Sequence, residues 1–164
     1  MSSKASQTAV DPWLYRRTCA RFATGITVVT TLDGSGNPHG MTVNSFSSVS
    51  LDPPLVLVSI DLKNAMLGHF ISSSWFAINI LAEHQQEISR RFSKGTGDRF
   101  VDVAWHAGDA GTPLLDGVLA HLECSVARTF DVGDHTLLIG EVRRANYTEG
   151  KPLVYFDSAY HRLL

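Results

Sequence analysis

The chain lacks most of the features that announce a function. Two cysteines, Cys19 and Cys124, stand far apart in 164 residues, with no CxxC partner. That excludes a disulfide framework and a cysteine-built metal ribbon; it reads as a pair of buried thiols in a reducing compartment, the cytoplasm. No apolar run reaches the ~18 residues of a membrane span. The opening MSSKASQTAV has no apolar signal core, and no membrane partner is expected. Net charge is −2, with no basic run and no acidic tail, so the electrostatic footprint of a nucleic-acid binder is missing. Seven histidines show no HxH or HExxH spacing, so no metal ligands are assigned. GTGDRF (95–100) lacks the GxxxxGK[ST] pattern. GSGNPHG (34–40) fails GxGxxG and leads into a strand, so any dinucleotide binds without a Rossmann site. There is no nucleophile triad or paired-acid motif.

What is present is an ordinary soluble composition, 44% hydrophobic and 18% charged. Residues 1–10 read as a disordered lead-in and 11–164 as a single domain. Asp11-Pro12 starts a helix over 11–24, with Gly25 as its C-cap. Strands are expected at 25–32, 39–49, 55–60, 75–81, 118–130, 135–147 and 152–156, separated by Gly, Pro and Asp turn clusters. Short helices are expected at 64–70 and 83–92, and DSAYHRLL reads as an exposed tail. About seven strands joined mostly by hairpins, with no βαβ alternation, favour an antiparallel barrel with peripheral helices over a doubly wound sheet.

The stretch HGMTVNSFSSVSLDPPLVLVSIDLKNAMLGHF (39–70) carries eight Ser, Thr and Asn residues on apparent core strand. Thr42, Asn44, Ser45, Ser47 and Ser48 either satisfy one another or read the polar edge of a flat ligand. Ser59 ends the next strand, Lys63 follows in the turn, and Asn64 opens a helix. Free helix N–H groups, the helix dipole and an ammonium together make an anion site. The same pattern also describes a surface lysine beside an ordinary cap, and Asp61 opposes a phosphate unless it points away.

RFATGITVVTT, HGMTVNSFSSVSLDPPLVLVSI, FAINIL, GDHTLLIGEV and PLVYFDSAYHRL, in that order from about residue 13 to the C-terminus, resemble the short-chain flavin reductases. These are the reductase components of two-component flavin-dependent monooxygenases. The resemblance implies a flavin-binding split β-barrel, a homodimer, FMN or FAD as cofactor, NADH or NADPH as co-substrate, and a monooxygenase that receives reduced flavin. It implies flavin contacts from Thr42, Val43, Asn44, Ser45, Ser48 and Val49, with Ser59, Lys63, Asn64 and Ala65 at the phosphate. Phe92 and Ser93 match the segment edging the flavin. His135, in GDH, matches a histidine near the nicotinamide, and Tyr160, His161 and Arg162 match the stretch that closes the pocket. Asp61-Leu62 precede Lys63 where the family varies.

The implied hydride transfer is cofactor chemistry. It asks the protein for positioning at roughly 3–3.5 Å and for dipoles near the reduced ring. Two other readings stay open: a flavin store or sensor without turnover, and another split-barrel flavoenzyme, for which more basic residues would be expected.

Overall fold

Asp11 caps the first helix by accepting the Trp13 N–H, with Pro12 at the first helical position, and α1 covers Pro12–Cys19. The computed structural model describes residues 10–94 and 97–163. The helix expected over 11–24 is shorter: Arg21 N–H and Phe22 N–H reach back only three residues, to Thr18 and Cys19, tightening the last turn until it stops. Ala20 is the C-cap, and Gly25 belongs to β1 (Thr24–Gly25).

β2 (Thr27–Leu32) and β3 (Pro38–Val43) form an antiparallel hairpin. The strand expected over 39–49 is two strands. β3 pairs with β2, whereas β4 (Ser47–Leu51) pairs with β5 (Pro54–Asp61). The chain crosses between the two at Asn44–Phe46. Pro54 opens β5 opposite Leu51 of the edge strand β4, a position that spares a central ladder its missing N–H.

Next come α2 (Leu67–Ser72), β6 (Trp75–Ile80) and α3 (Gln86–Ser93). A small hairpin, β7 (Trp105–Ala107) with β8 (Pro113–Leu115), precedes the long pair β9 (Ala120–Val132) and β10 (His135–Tyr147). The supposed tail instead turns at Asp157-Ser158, with φ of 49° and 64°, and joins β11 (Val154–Phe156) to β12 (Ala159–His161). Positive φ at both central residues is the geometry of a tight hairpin turn.

The main sheet has seven strands in the order β3-β2-β6-β9-β10-β5-β4. It curls so that the end of β3 meets β5 without a ladder. There the Ser45 hydroxyl accepts the Ser59 N–H and donates to the Ser59 carbonyl, both at 3.0 Å. One serine side chain thus closes the seam of a split barrel. Inside lie Val29, Val43, Val58, Ile60, Phe76, Ile78 and Leu138, with Leu67 and Phe70 of α2 packed among them. A second cluster holds Val28, Leu81, Phe92, Phe100, Leu115 and Leu153. β2 sends Val29 into the first and Val28 into the second, which is why both of its faces are buried. β5 does alternate: Val56, Val58 and Ile60 are buried and the residues between them are half-buried, so only one of its faces is fully covered. Gly140 is required where Phe76 crosses β10, because a Cβ there would sit 2.4 Å from the ring.

The two thiols differ from expectation. Both are free, but Cys19 is exposed and only Cys124 is buried. Burial, with Glu123 alongside, pushes the Cys124 thiol up to about 12.

Candidate functional site

The break at Asn44–Phe46 leaves Asn44 exposed at the seam, beside Ser45. His135 arrives by register, since it starts β10 opposite Asp61 at the end of β5. Asn44, Ser45 and His135 line one cavity of about 570 Å³, within the size range of small-molecule sites. Its remaining walls are Tyr15, Arg16, Cys19, Ala20 and Phe22 on one side and Tyr155–Ser158 on the other.

The cavity floor is tied together. Leu62 N–H donates to the Asp134 carbonyl at 3.0 Å, joining the turn after β5 to the turn before β10. The Asp134 carboxylate takes His135 Nδ1 at 2.6 Å. That hydrogen bond, the charge of His135 and the nearby Lys63 hold Asp134 below the usual carboxylate range. The pairing leaves Nε2 as the imidazole nitrogen available to a ligand.

The Lys63 turn is built differently from expectation. Asp61 Oδ1 accepts the Lys63 N–H at 2.7 Å, so the carboxylate folds back on its own turn. Asn64 Oδ1 accepts the Met66 N–H at 2.9 Å, but the helix itself begins at Leu67 and runs only to Ser72. Asn64 therefore caps a turn, and the anion-binding helix start expected at 64 is absent. Lys63 and the polar turn remain. Ser59 spends both of its backbone polar groups on Ser45 across the seam.

Several other expected site residues have structural partners. Thr42 Oγ1 donates to the Ser89 carbonyl at 2.7 Å, and Ser89 Oγ meets the Tyr160 hydroxyl at 2.8 Å, linking β3, α3 and β12. Val43 is in the barrel core. Phe92 is buried beneath β3, so close that a Cβ on Gly40 would lie 2.8 Å from its ring. Ser93 caps back onto the Arg90 carbonyl. Ser48 and Val49 are exposed on the edge strand β4. Ala65 is exposed beyond Lys63, and Arg162 is exposed past β12. His161 Nε2 bonds the Phe156 carbonyl at 3.1 Å.

The cavity wall from α1 and from the Asp157-Ser158 turn was not assigned from sequence. The exposed aromatics of that helix were the available signal. Asp157 N–H donates to the Ala20 carbonyl at 3.0 Å, and Arg21 pairs with Asp157 at 3.4 Å, which brings the N-terminal and C-terminal segments together over the seam.

An antiparallel barrel, split at a polar seam with a histidine and a lysine turn beside it, defines the class: a split barrel with a ligand site at its opening. A family model for the flavin reductase-like domain matches residues 19–164. The chain is 44% identical over 148 residues to the FMN reductase (NADH) SmoA of Agrobacterium fabrum, covering 90% of this chain and 84% of that protein. It is 45% identical over 139 residues to the reductase component of the flavin-dependent trigonelline monooxygenase of Acinetobacter baylyi, covering 85% of this chain but only 45% of that protein. The NADH:FAD oxidoreductase SgcE6 of Streptomyces globisporus, solved with NAD and FAD fragments, superposes with a TM-score of 0.89 at 38% identity, over 96% of this chain and 97% of that one. The chain belongs to the flavin reductase-like family and is an oxidoreductase of that class. Among the described residues, no helix is long and apolar enough to cross a membrane.

Proposed function

We propose that the protein transfers a hydride from NADH or NADPH to FMN or FAD at the seam cavity and supplies reduced flavin to a partner monooxygenase. The observation that carries this is the convergence of Asn44, Ser45 and His135 on one cavity of about 570 Å³, with the Lys63 turn alongside. The donor set suits a flavin: an amide and main-chain groups for the ring edge, and an ammonium for a phosphate. When bound, the two cofactors supply the redox chemistry. The chain contributes position. Asn44 reads the ring edge, Ser45 holds the seam, and Lys63 with Asn64 and Ala65 faces the phosphate. His135, held by Asp134 through Nδ1, presents Nε2 to the nicotinamide. Tyr160, His161 and Arg162 belong to the hairpin region that closes the site.

A homodimer fits the surface. Trp13, Tyr15 and Phe22 are each more than 60% exposed, and Phe130, Val132 and Tyr147 stand out from the long β9–β10 pair. Isolated monomers rarely leave so many large apolar side chains in water. The partner monooxygenase matches the role of the Acinetobacter baylyi relative, and the thiols suit a reducing compartment, the cytoplasm.

The test is an NADH and NADPH oxidation assay on purified protein with added FMN or FAD. Turnover well above the protein-free rate is expected, and His135→Ala should raise the KM for the nicotinamide nucleotide about tenfold with flavin affinity unchanged, a loss near that of one good hydrogen bond to a charged or polarised group. Tight flavin binding with no acceleration would make the protein a store or sensor instead.

A further inference from the structure

Folding assembles a ligand set that no sequence spacing displays. Asp33 follows the β2 strand, His39 lies six residues later at the start of β3, and His69 comes from α2. Their ligand atoms all lie within 4.8 Å of one another. We propose that Asp33, His39 and His69 form a binding site for one borderline divalent metal ion of the Zn²⁺ type, set between the β2–β3 turn and α2 and apart from the seam cavity.

The donor chemistry selects the ion. Two imidazoles and one carboxylate suit Zn²⁺ and its neighbours Co²⁺ and Ni²⁺, whereas Mg²⁺ and Ca²⁺ prefer all-oxygen sets. One coordination edge is within a few tenths of an ångström of the required length. His39 Nε2 lies 3.0 Å from Asp33 Oδ2, and two ligands each about 2.0–2.1 Å from a common tetrahedral metal are about 3.3–3.4 Å apart. The ion takes the place of the proton between these two atoms, and that proton leaves to solvent.

The carboxylate is held for the task. Asp33 Oδ1 accepts the Ser35 N–H at 2.8 Å and the Asn37 N–H at 2.9 Å, and Oδ2 accepts Asn37 Nδ2 at 3.1 Å. Such outer bonds orient a ligating carboxylate. The third ligand is close but not yet aimed. The His69 ring stacks on His39 with centroids 3.7 Å apart and planes 9° from parallel. Metal binding tilts His69 out of the stack.

The surroundings admit a cation. Asp33 and His39 open on a cleft of about 420 Å³ that gives access to water as a further ligand. Asp98 also lines this cleft, and the Arg99 guanidinium there donates to the Gly40 and Phe92 carbonyls. A simple Asp–His ion pair needs no second imidazole; the third donor is what makes a chelate.

The test is calorimetric titration of metal-stripped, full-length protein with Zn²⁺, repeated with Co²⁺ read by its visible ligand-field absorption. One ion per chain is expected, unaffected by excess Mg²⁺ or Ca²⁺. His69→Ala and Asp33→Asn, each checked for native circular dichroism, should weaken binding at least tenfold. His106→Gln, which alters a separate surface His–Asp pair, should leave it unchanged. Zn²⁺ at about a hundred times its Kd should raise the melting temperature by about 5 °C in the parent and not in the His69 variant. Absence of binding, binding that survives both His69→Ala and Asp33→Asn, or binding lost in His106→Gln overturns the proposal.

Discussion

Helices α1 and α3 have the same length and sit on the same barrel, yet they are held in opposite ways. α3 buries Ser89 and Phe92, takes a hydrogen bond from Thr42 of β3 and shares one between the hydroxyls of Ser89 and Tyr160 of β12. α1 buries no residue at all. Its visible anchors lie just beyond its end, where Ala20 and Arg21 meet Asp157. α3 is part of the core, whereas α1 is a wall of the cavity on which Trp13, Leu14 and Tyr15 stay exposed among the described residues. Side chains that look equally apolar in sequence are therefore buried in one helix and exposed in the other.

Truncating one aromatic from each helix is the strongest way to break this contrast. Phe92→Ala removes a ring packed against Gly40 and edge-on to Phe100, with centroids 5.0 Å apart. It should cost about 4 kcal/mol, read by urea unfolding. Trp13→Ala should change the stability of the dilute protein by less than about 0.5 kcal/mol. In sedimentation at higher concentration, the same Trp13 variant should shift the dimer toward monomer. Equal losses for the two variants in dilute protein would mean that α1 is structural after all.

A smaller effect separates two neighbours at the seam. Ser45 spends its hydroxyl on both backbone groups of Ser59, whereas Asn44 is exposed into the cavity. Ser45→Ala strands an N–H and a carbonyl, and should cost about 1–2 kcal/mol of stability together with flavin affinity. Asn44→Ala should weaken flavin binding with the melting temperature unchanged. Thermal melts with flavin fluorescence titrations on both variants decide it. If Ser45→Ala melts like the parent, the seam is closed by something else.

How much of this was legible in the sequence follows from the same contrast. The hairpins showed because β-branched runs are punctuated by Gly, Asp and Pro, and β10 was placed at 135–147 as observed. The break between β3 and β4 did not show, because Asn44, Ser45 and Phe46 continue the alternation and only barrel closure forces the crossing. β7 and β8 were invisible as strands, since three residues each between glycines and loops carry no period. Within the site, composition could mark Thr42 and Ser45 as polar residues on a strand. It could not tell that Thr42 faces α3 and Ser45 faces β5, which is set by tertiary partners. His135 entered through its family resemblance, because one histidine after a Gly-Asp turn has no pattern of its own. Asp33, His39 and His69 had no motif because α2 supplies the third donor from thirty residues away.

The smallest expected effect compares two Asp–His pairs, one at each region. Asp134 is fully exposed beside His135 at the seam, and its carboxylate lies below the usual range chiefly through that hydrogen bond. Asp33 is also depressed, by its bond to His39 first and then by Asn37, with Ser35 adding a backbone donor. A carboxylate depressed in the folded state stabilises the fold fully above its ordinary pKa of about 3.9. The contribution is lost as the pH falls through the lower folded value. The parent should therefore lose more melting temperature between pH 7 and pH 3 than either Asp→Asn variant. Measured without metal, the difference should be larger for Asp33→Asn, which neutralises a carboxylate that accepts four hydrogen bonds, than for Asp134→Asn, where solvent screens the pair. A larger acid effect at Asp134 would place the rigid pair at the seam, and would make the cavity floor, rather than the hairpin turn, the more firmly built of the two regions.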